Sequence, residues 1–156
     1  MGWFSRRYDT GAIEVDADQI REIFHEWPDL YWWPLDKTYL VLEEELGREF
    51  GWKYWSDFGL SYRQEGFDCD EYGIVTLADW CKGALKENFK NKDGKYRQPA
   101  MGAIGLNNAG VLTPHLQDFG IFHHKSTIIR LKFEPQTGKW SDLSQETVDR
   151  VRMLIR

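Results

Sequence analysis

The spacing of apolar residues predicts three helices in the first part of the chain. The first covers about 16–26 and begins at Asp16, which has Gln19 three residues later, the spacing of a capping box. The second covers about 36–50, with an apolar stripe along one side. The third covers about 69–88 and is expected to be the central, mostly buried helix because of its apolar residues Tyr72, Val75, Leu77, Trp80, Ala84 and Leu85.

The second half of the chain has the composition of strands. Residues 99–106 predict a short strand, and two longer strands are predicted over about 115–123 and 126–134. A further helix is predicted over 145–155, where Ser144 has the position of an N-cap. Helices that precede an antiparallel sheet are typical of the α+β class.

Length and charge limit the classes of protein to consider. The chain has 156 residues, so one domain is expected over 1–156, with 1–15 as an irregular N-terminal arm. The net charge of −5 argues against a nucleic-acid-binding protein, and no apolar run is long enough to cross a membrane. No apolar segment follows the basic N-terminal residues, so no signal peptide and a cytoplasmic location are expected.

Cys69 is the strongest candidate for chemistry. Asp68 has the position of an N-cap and Glu71 lies three residues later, so Cys69 is predicted to be the first residue of the third helix. The unpaired N–H groups and the positive end of the helix dipole favour a thiolate there, as a nucleophilic cysteine requires. The simpler interpretation is a small, buried residue without a chemical role.

A thiol nucleophile needs a base and a group that orients the base, and the strand pair offers both. If His124 and Lys125 form a two-residue hairpin loop, His115 lies directly opposite Glu134. The carboxylate could then accept the ring N–H of the histidine and fix its tautomer. Cys69, His115 and Glu134 are therefore the predicted catalytic residues, provided that the register is correct.

Two further site predictions surround Cys69. Gln64 is a candidate donor to an oxyanion, beside the backbone N–H of Cys69. The acidic residues Asp68 and Asp70 would oppose the formation of a thiolate, and a bound calcium ion would offset that effect. The alternative is that Asp68 only caps the helix and Asp70 faces water.

The motif Phe133-Glu134-Pro135-Gln136-Thr137-Gly138, which follows a strand with a histidine, resembles the papain-like domain at the C-terminus of fungal chimerolectins, the agglutinin C-terminal family. It is also similar to that of small phage-encoded relatives. The resemblance covers roughly residues 60–140. It implies a papain-like fold, with N-terminal helices and a central Cys-bearing helix on an antiparallel sheet. It further implies a Cys-His-Glu triad, a calcium requirement as in the fungal members, and a location in the host cytoplasm for a phage protein.

Three functions are therefore open. The first is a cysteine hydrolase, a peptidase or amidase that cuts a peptide or protein substrate through an acyl-enzyme. The second is a catalytically inactive papain-like module, either a binding domain or a viral structural or host-interaction protein. The third is a different thiol transfer, such as deamidase or transglutaminase-like chemistry, because one triad serves several reactions. The reactivity of Cys69 separates the enzymes from the module.

Overall fold

The computed structural model describes residues 12–25, 31–56, 69–106, 115–143 and 151–155. The helices in these ranges are α1 (Ala17–Ile23), α2 (Glu44–Ser56) and α3 (Cys69–Glu87). The strands are β1 (Ile13–Asp16), β2 (Tyr31–Trp33), β3 (Thr38–Glu43), β4 (Gln98–Pro99), β5 (Met101–Leu106), β6 (His115–His124), β7 (Thr127–Glu134), β8 (Lys139–Asp142) and β9 (Val151–Ile155). Among the described helices, none combines the length and apolarity that crossing a membrane requires.

The described strands form one mixed sheet in the order β1-β3-β6-β5-β9-β2, with β4 paired to β3 and β7 paired to both β6 and β8. The pairs β3/β6, β3/β4 and β2/β9 are parallel, and the other pairs are antiparallel. Strand β6 pairs with β5, β7 and β3, so it lies at the centre of the sheet.

Apolar side chains of β6 contribute to two separate clusters because successive residues of a strand point to opposite faces. Phe119 and Ile121 belong to the cluster that contains Ile20 and Phe24 of α1 and its C-terminal end. Phe122 belongs to the other cluster, with residues of α2, α3 and β7. The central strand is therefore covered by side chains on both faces.

Trp80 joins α3 to both α2 and the sheet. Its ring stacks on Trp140 of β8, with centroids 5.7 Å apart and an interplanar angle of 8°, and meets Phe133 of β7 edge-on at 5.2 Å. The indole N–H donates to the backbone oxygen of Gly51 in α2 at 2.9 Å. Because the side chain is 1 % exposed, this bond satisfies a donor that would otherwise be costly to bury.

Several predicted elements are confirmed. Helix α1 has Asp16 as its N-cap, and the capping box is complete. The backbone N–H of Gln19 donates to Asp16 Oδ1 at 2.7 Å, and the backbone N–H of Asp16 donates to Gln19 Oε1 at 2.8 Å. The third helix is present as α3, and the strands predicted at 99–106, 115–123 and 126–134 are present with small shifts of their ends. The prediction that this helix is mostly buried is wrong, because Ile74 and Leu85 are 60 % and 68 % exposed and only one side of α3 is covered.

Two predicted helices and the type of sheet are wrong, although the α+β class holds broadly. The predicted helix 36–50 is strand β3 followed by α2, because residues 39–42 are all buried and suit a strand covered on both faces. In the predicted helix 145–155, residues Val151–Ile155 form strand β9, which pairs with β5 and β2. The first described element is thus strand β1 rather than a helix, and the sheet is mixed rather than antiparallel.

We predict that Gly47→Ala destabilises the protein by about 1–3 kcal/mol, because a Cβ atom at Gly47 in α2 would lie 2.1 Å from the ring of Phe122. Phe122→Leu should relieve this overlap. In that background the same glycine substitution should be close to neutral, since alanine favours a helix. Urea unfolding of the two single variants and the double variant measures this coupling. Additive effects of the two substitutions would contradict the packing described here.

Candidate functional site

The β6/β7 hairpin contains the one predicted triad residue whose side chain the structure describes, Glu134. Asp118 pairs with Phe133, so Gln117, one residue earlier, lies opposite Glu134. Gln117 Nε2 donates to Glu134 Oε2 at 2.7 Å, and the backbone N–H of Gln136 donates to Glu134 Oε1 at 3.2 Å. Both carboxylate oxygens of Glu134 therefore accept hydrogen bonds.

The predicted register of this hairpin is wrong by two residues. His124 pairs with Thr127, so Lys125 and Ser126 form the turn in place of the predicted His124 and Lys125. Lys125 has a φ of 56°, the left-handed conformation that tight hairpin turns require. A shift of two residues keeps the same faces but moves every partner, so glutamine stands opposite Glu134 where histidine was expected.

His115 is the first residue of β6, two positions before Gln117, and in this register it lies beyond the end of β7. The pairing of His115 with Glu134 as direct neighbours is therefore wrong. Cys69 is the first residue of α3, as predicted from the capping spacing. The side chains of Cys69 and His115 lie outside the described part of the chain, and their chemical roles stay predictions.

Gln64 and Asp68, the predicted oxyanion donor and one predicted calcium ligand, also lie outside the described residues, as does the side chain of Asp70. Among the side chains that the structure does describe, no group of three or more His, Cys, Asp or Glu residues could hold a metal ion. Calcium at Asp68 and Asp70 remains a prediction from the sequence.

Asp118 is a fully buried carboxyl group on the central strand. Neither of its oxygens has a hydrogen-bond partner, and its neighbours across the ladder are Ala103 and Phe133. Burial raises the pKa of Asp118 well above its ordinary value of 3.8, and the charge of Glu134 raises it further. The fold therefore favours the protonated form of this side chain.

A second group of polar residues lines a cavity of about 320 Å³, which we call the polar groove; its lining residues are Asp36, Lys37, Thr38, Tyr96, Arg97 and Gln98. The pairing of strands explains why they meet. Strands β3 and β4 run parallel, with Tyr39 opposite Gln98, so the segments that lead into the two strands reach the same edge. The chain thereby places two short polar segments, distant in sequence, beside each other.

Hydrogen bonds hold both sides of the polar groove. The backbone N–H of Asp36 donates to the hydroxyl of Tyr39 at 2.8 Å, and the backbone N–H of Arg97 donates to the oxygen of Phe89 at 3.0 Å. Gln98 donates from its side-chain amide to the hydroxyl of Tyr96. These contacts fix the backbone of the groove and the orientation of its tyrosine.

No pattern in the sequence indicates the polar groove. Asn91 to Lys95 reads as a polar turn, and the structure confirms a turn there, in which the Asn91 side chain accepts backbone N–H groups. The three residues that follow line the groove only because β4 pairs with β3. A parallel contact between segments so far apart has no local signal.

Comparison with known proteins gives a likeness of fold. No protein-family model matches the sequence, and no curated protein matches it. Two similar solved structures are a complex of PSL1a with E64 (TM-score 0.67, 20 % identity, 92 % of this chain and 50 % of that one) and the Polyporus squamosus lectin bound to the human-type influenza-binding epitope Neu5Acα2-6Galβ1-4GlcNAc (TM-score 0.66, 22 % identity, 92 % and 49 %). The chain thus spans about half the length of these neighbours.

These findings confirm a structural relation to a fungal lectin and correct the rest of the sequence-based interpretation. One of the two neighbours is named as a lectin and is bound to a glycan, so a papain-like peptidase fold, a cysteine hydrolase and a thiol protease with a catalytic triad are not supported. The hairpin register agrees with this correction, because the amide of Gln117 opposite Glu134 cannot act as a general base.

We predict that Asp118 makes stability depend on pH. The native state keeps a proton that the unfolded chain loses above about pH 3.9, so the free energy of unfolding falls as the pH rises from there to the raised pKa of the folded state. Asp118→Asn should remove this part of the slope. Urea unfolding at several values between about pH 4 and 8 measures it.

The control for this prediction is Asp93→Asn, which removes one negative charge at an exposed turn. The wild type and the control should show the same decline of stability with rising pH, and Asp118→Asn a weaker one. Parallel pH profiles for all three proteins would contradict the assignment of a raised pKa to Asp118.

Proposed function

We propose that this chain is a carbohydrate-binding domain and that the polar groove is its sugar site. The observation that carries the proposal is the lining of the groove, which combines an aromatic ring with acidic, basic, hydroxyl and amide side chains. These side chains stand on two segments whose backbones are held by hydrogen bonds. Sites of this kind, concave and with a few fixed polar groups, are where small polar ligands bind.

The chemistry of the lining suits a sugar. Each sugar hydroxyl is both a donor and an acceptor, and it needs partners of both kinds to replace water. Asp36 supplies acceptors, Lys37 and Arg97 supply donors, and Thr38 and Gln98 supply both. Tyr96 adds a ring whose apolar face suits the C–H groups of a pyranose.

The likeness to the Polyporus squamosus lectin supports the same proposal. One of its structures contains the trisaccharide Neu5Acα2-6Galβ1-4GlcNAc, which makes this glycan and its neutral part natural first ligands to test. The chain spans only about half of that lectin, so the proposal depends on the groove itself, and the likeness of fold is additional support.

We predict that N-acetyllactosamine and the sialylated trisaccharide change the amide signals of residues 36–38 and 96–98 in a two-dimensional NMR titration. Tyr96→Ala should weaken binding about tenfold, or about 1.4 kcal/mol, because the ring surface is lost. Tyr96→Phe keeps the ring and should retain most of the affinity. Signal dispersion in the same spectra shows whether each variant is folded.

A matched control is Lys92→Ala, an exposed residue of the neighbouring turn that lies outside the groove lining. It should bind like the wild type. Saturating glycan that leaves the signals of the groove unchanged, or Tyr96→Ala binding as tightly as the wild type while folded, would refute the proposed site.

A further inference from the structure

Arg97 reaches across the sheet from the polar groove. It precedes β4, whose Gln98 pairs with Tyr39 of β3, and its guanidinium lies 3.8 Å from the carboxylate of Glu14 on β1. Glu14 itself pairs with Leu40 of β3. The ion pair therefore spans β3, and it links the wall of the groove to the strand on its far side.

The guanidinium of Arg97 is only partly satisfied by the protein. Its Nη1 donates to the backbone oxygen of Tyr96 at 2.9 Å, but its buried Nε has no hydrogen-bond partner. The distance of 3.8 Å from Nε to Glu14 Oε2 allows electrostatic attraction and is too long for a hydrogen bond. The Arg97 side chain is 26 % exposed, so a ligand in the groove can reach the guanidinium, whose charge Glu14 compensates only in part.

We infer that Arg97 makes the polar groove selective for sugars that carry a carboxylate, and that Glu14 is an internal competitor for the same guanidinium. The inference rests on the proposed function of the groove. A guanidinium presents a rigid fork of N–H donors that matches the two oxygens of a carboxylate. A carboxylate on a bound sugar provides the short hydrogen bonds that Glu14, at its distance, does not.

Other charges around the groove make a specific contact necessary for such a ligand. Lys37 adds a second cation to the lining, whereas Asp36 repels an anion. The net charge of −5 gives no long-range attraction for acidic ligands. Preference for an acidic sugar therefore depends on the short-range contact with Arg97 and is expected to weaken only moderately with added salt.

The test uses calorimetric titration of the full chain with three ligands: Neu5Acα2-6Galβ1-4GlcNAc, its carboxyl methyl ester and N-acetyllactosamine. The ester keeps the shape of the acid but removes the charge. The wild type should bind the acid about tenfold more tightly than the ester, as expected for a charged hydrogen bond. Arg97→Gln should bind the acid and the ester equally, and Arg97→Lys should show an intermediate ratio, because it keeps the charge without the fork.

Glu14→Gln removes the competitor and should increase the ratio of acid to ester affinity above that of the wild type. Lys92→Ala, outside the groove, should leave the ratio unchanged. Equal affinities of the wild type for acid and ester, or a preference that survives Arg97→Gln, would overturn the inference while binding of N-acetyllactosamine upholds the proposed function. Binding of none of the three ligands would refute both, and equally tight binding of a Glu-rich peptide would overturn the assignment to sugars.

Discussion

Strand β6 must be paired along its edges and covered on both faces at once, and the arrangement of the other described elements follows from that requirement. Its first half pairs with β5, its second half with β7, and its end with β3. Phe119 and Phe122 project to opposite faces and need separate covers, which α1 provides on one side and α2 and α3 on the other. Burial of a complete strand is favourable for apolar side chains and unfavourable for Asp118, whose carboxyl group has no partner there.

The polar groove results from the same sheet, at a place where two parallel strands begin. The residues that precede β3 and β4 are polar because they lie outside the ladder, and the parallel pairing brings them to one edge. Binding sites are commonly built from such connecting segments on a rigid sheet. Arg97 shows the consequence most clearly, since its backbone is fixed by Phe89 while its side chain reaches a strand on the opposite side of β3.

Local signals in the sequence were sufficient for some of this fold. The capping box of Asp16 and Gln19 and the extent of α3 depend on residues close together in the chain, and both were predicted correctly. The run from Tyr39 to Leu42 misled the prediction, because its apolar residues continue into those of α2 at helical spacing. Strand β9 and the polar groove depend on pairing partners far away in sequence, which periodicity does not reveal.

The predicted site around Glu134 failed for a similar reason. The turn lies one residue further along the chain than predicted, which replaces His115 by Gln117 as the partner of Glu134, and no residue pattern distinguishes the two registers.

A crystal structure of the chain with Neu5Acα2-6Galβ1-4GlcNAc is the decisive test of sugar binding in the polar groove. Electron density for the sugar is expected against Tyr96, with its carboxylate on Arg97. Density for the glycan at another surface, with the polar groove filled only by solvent, would contradict it.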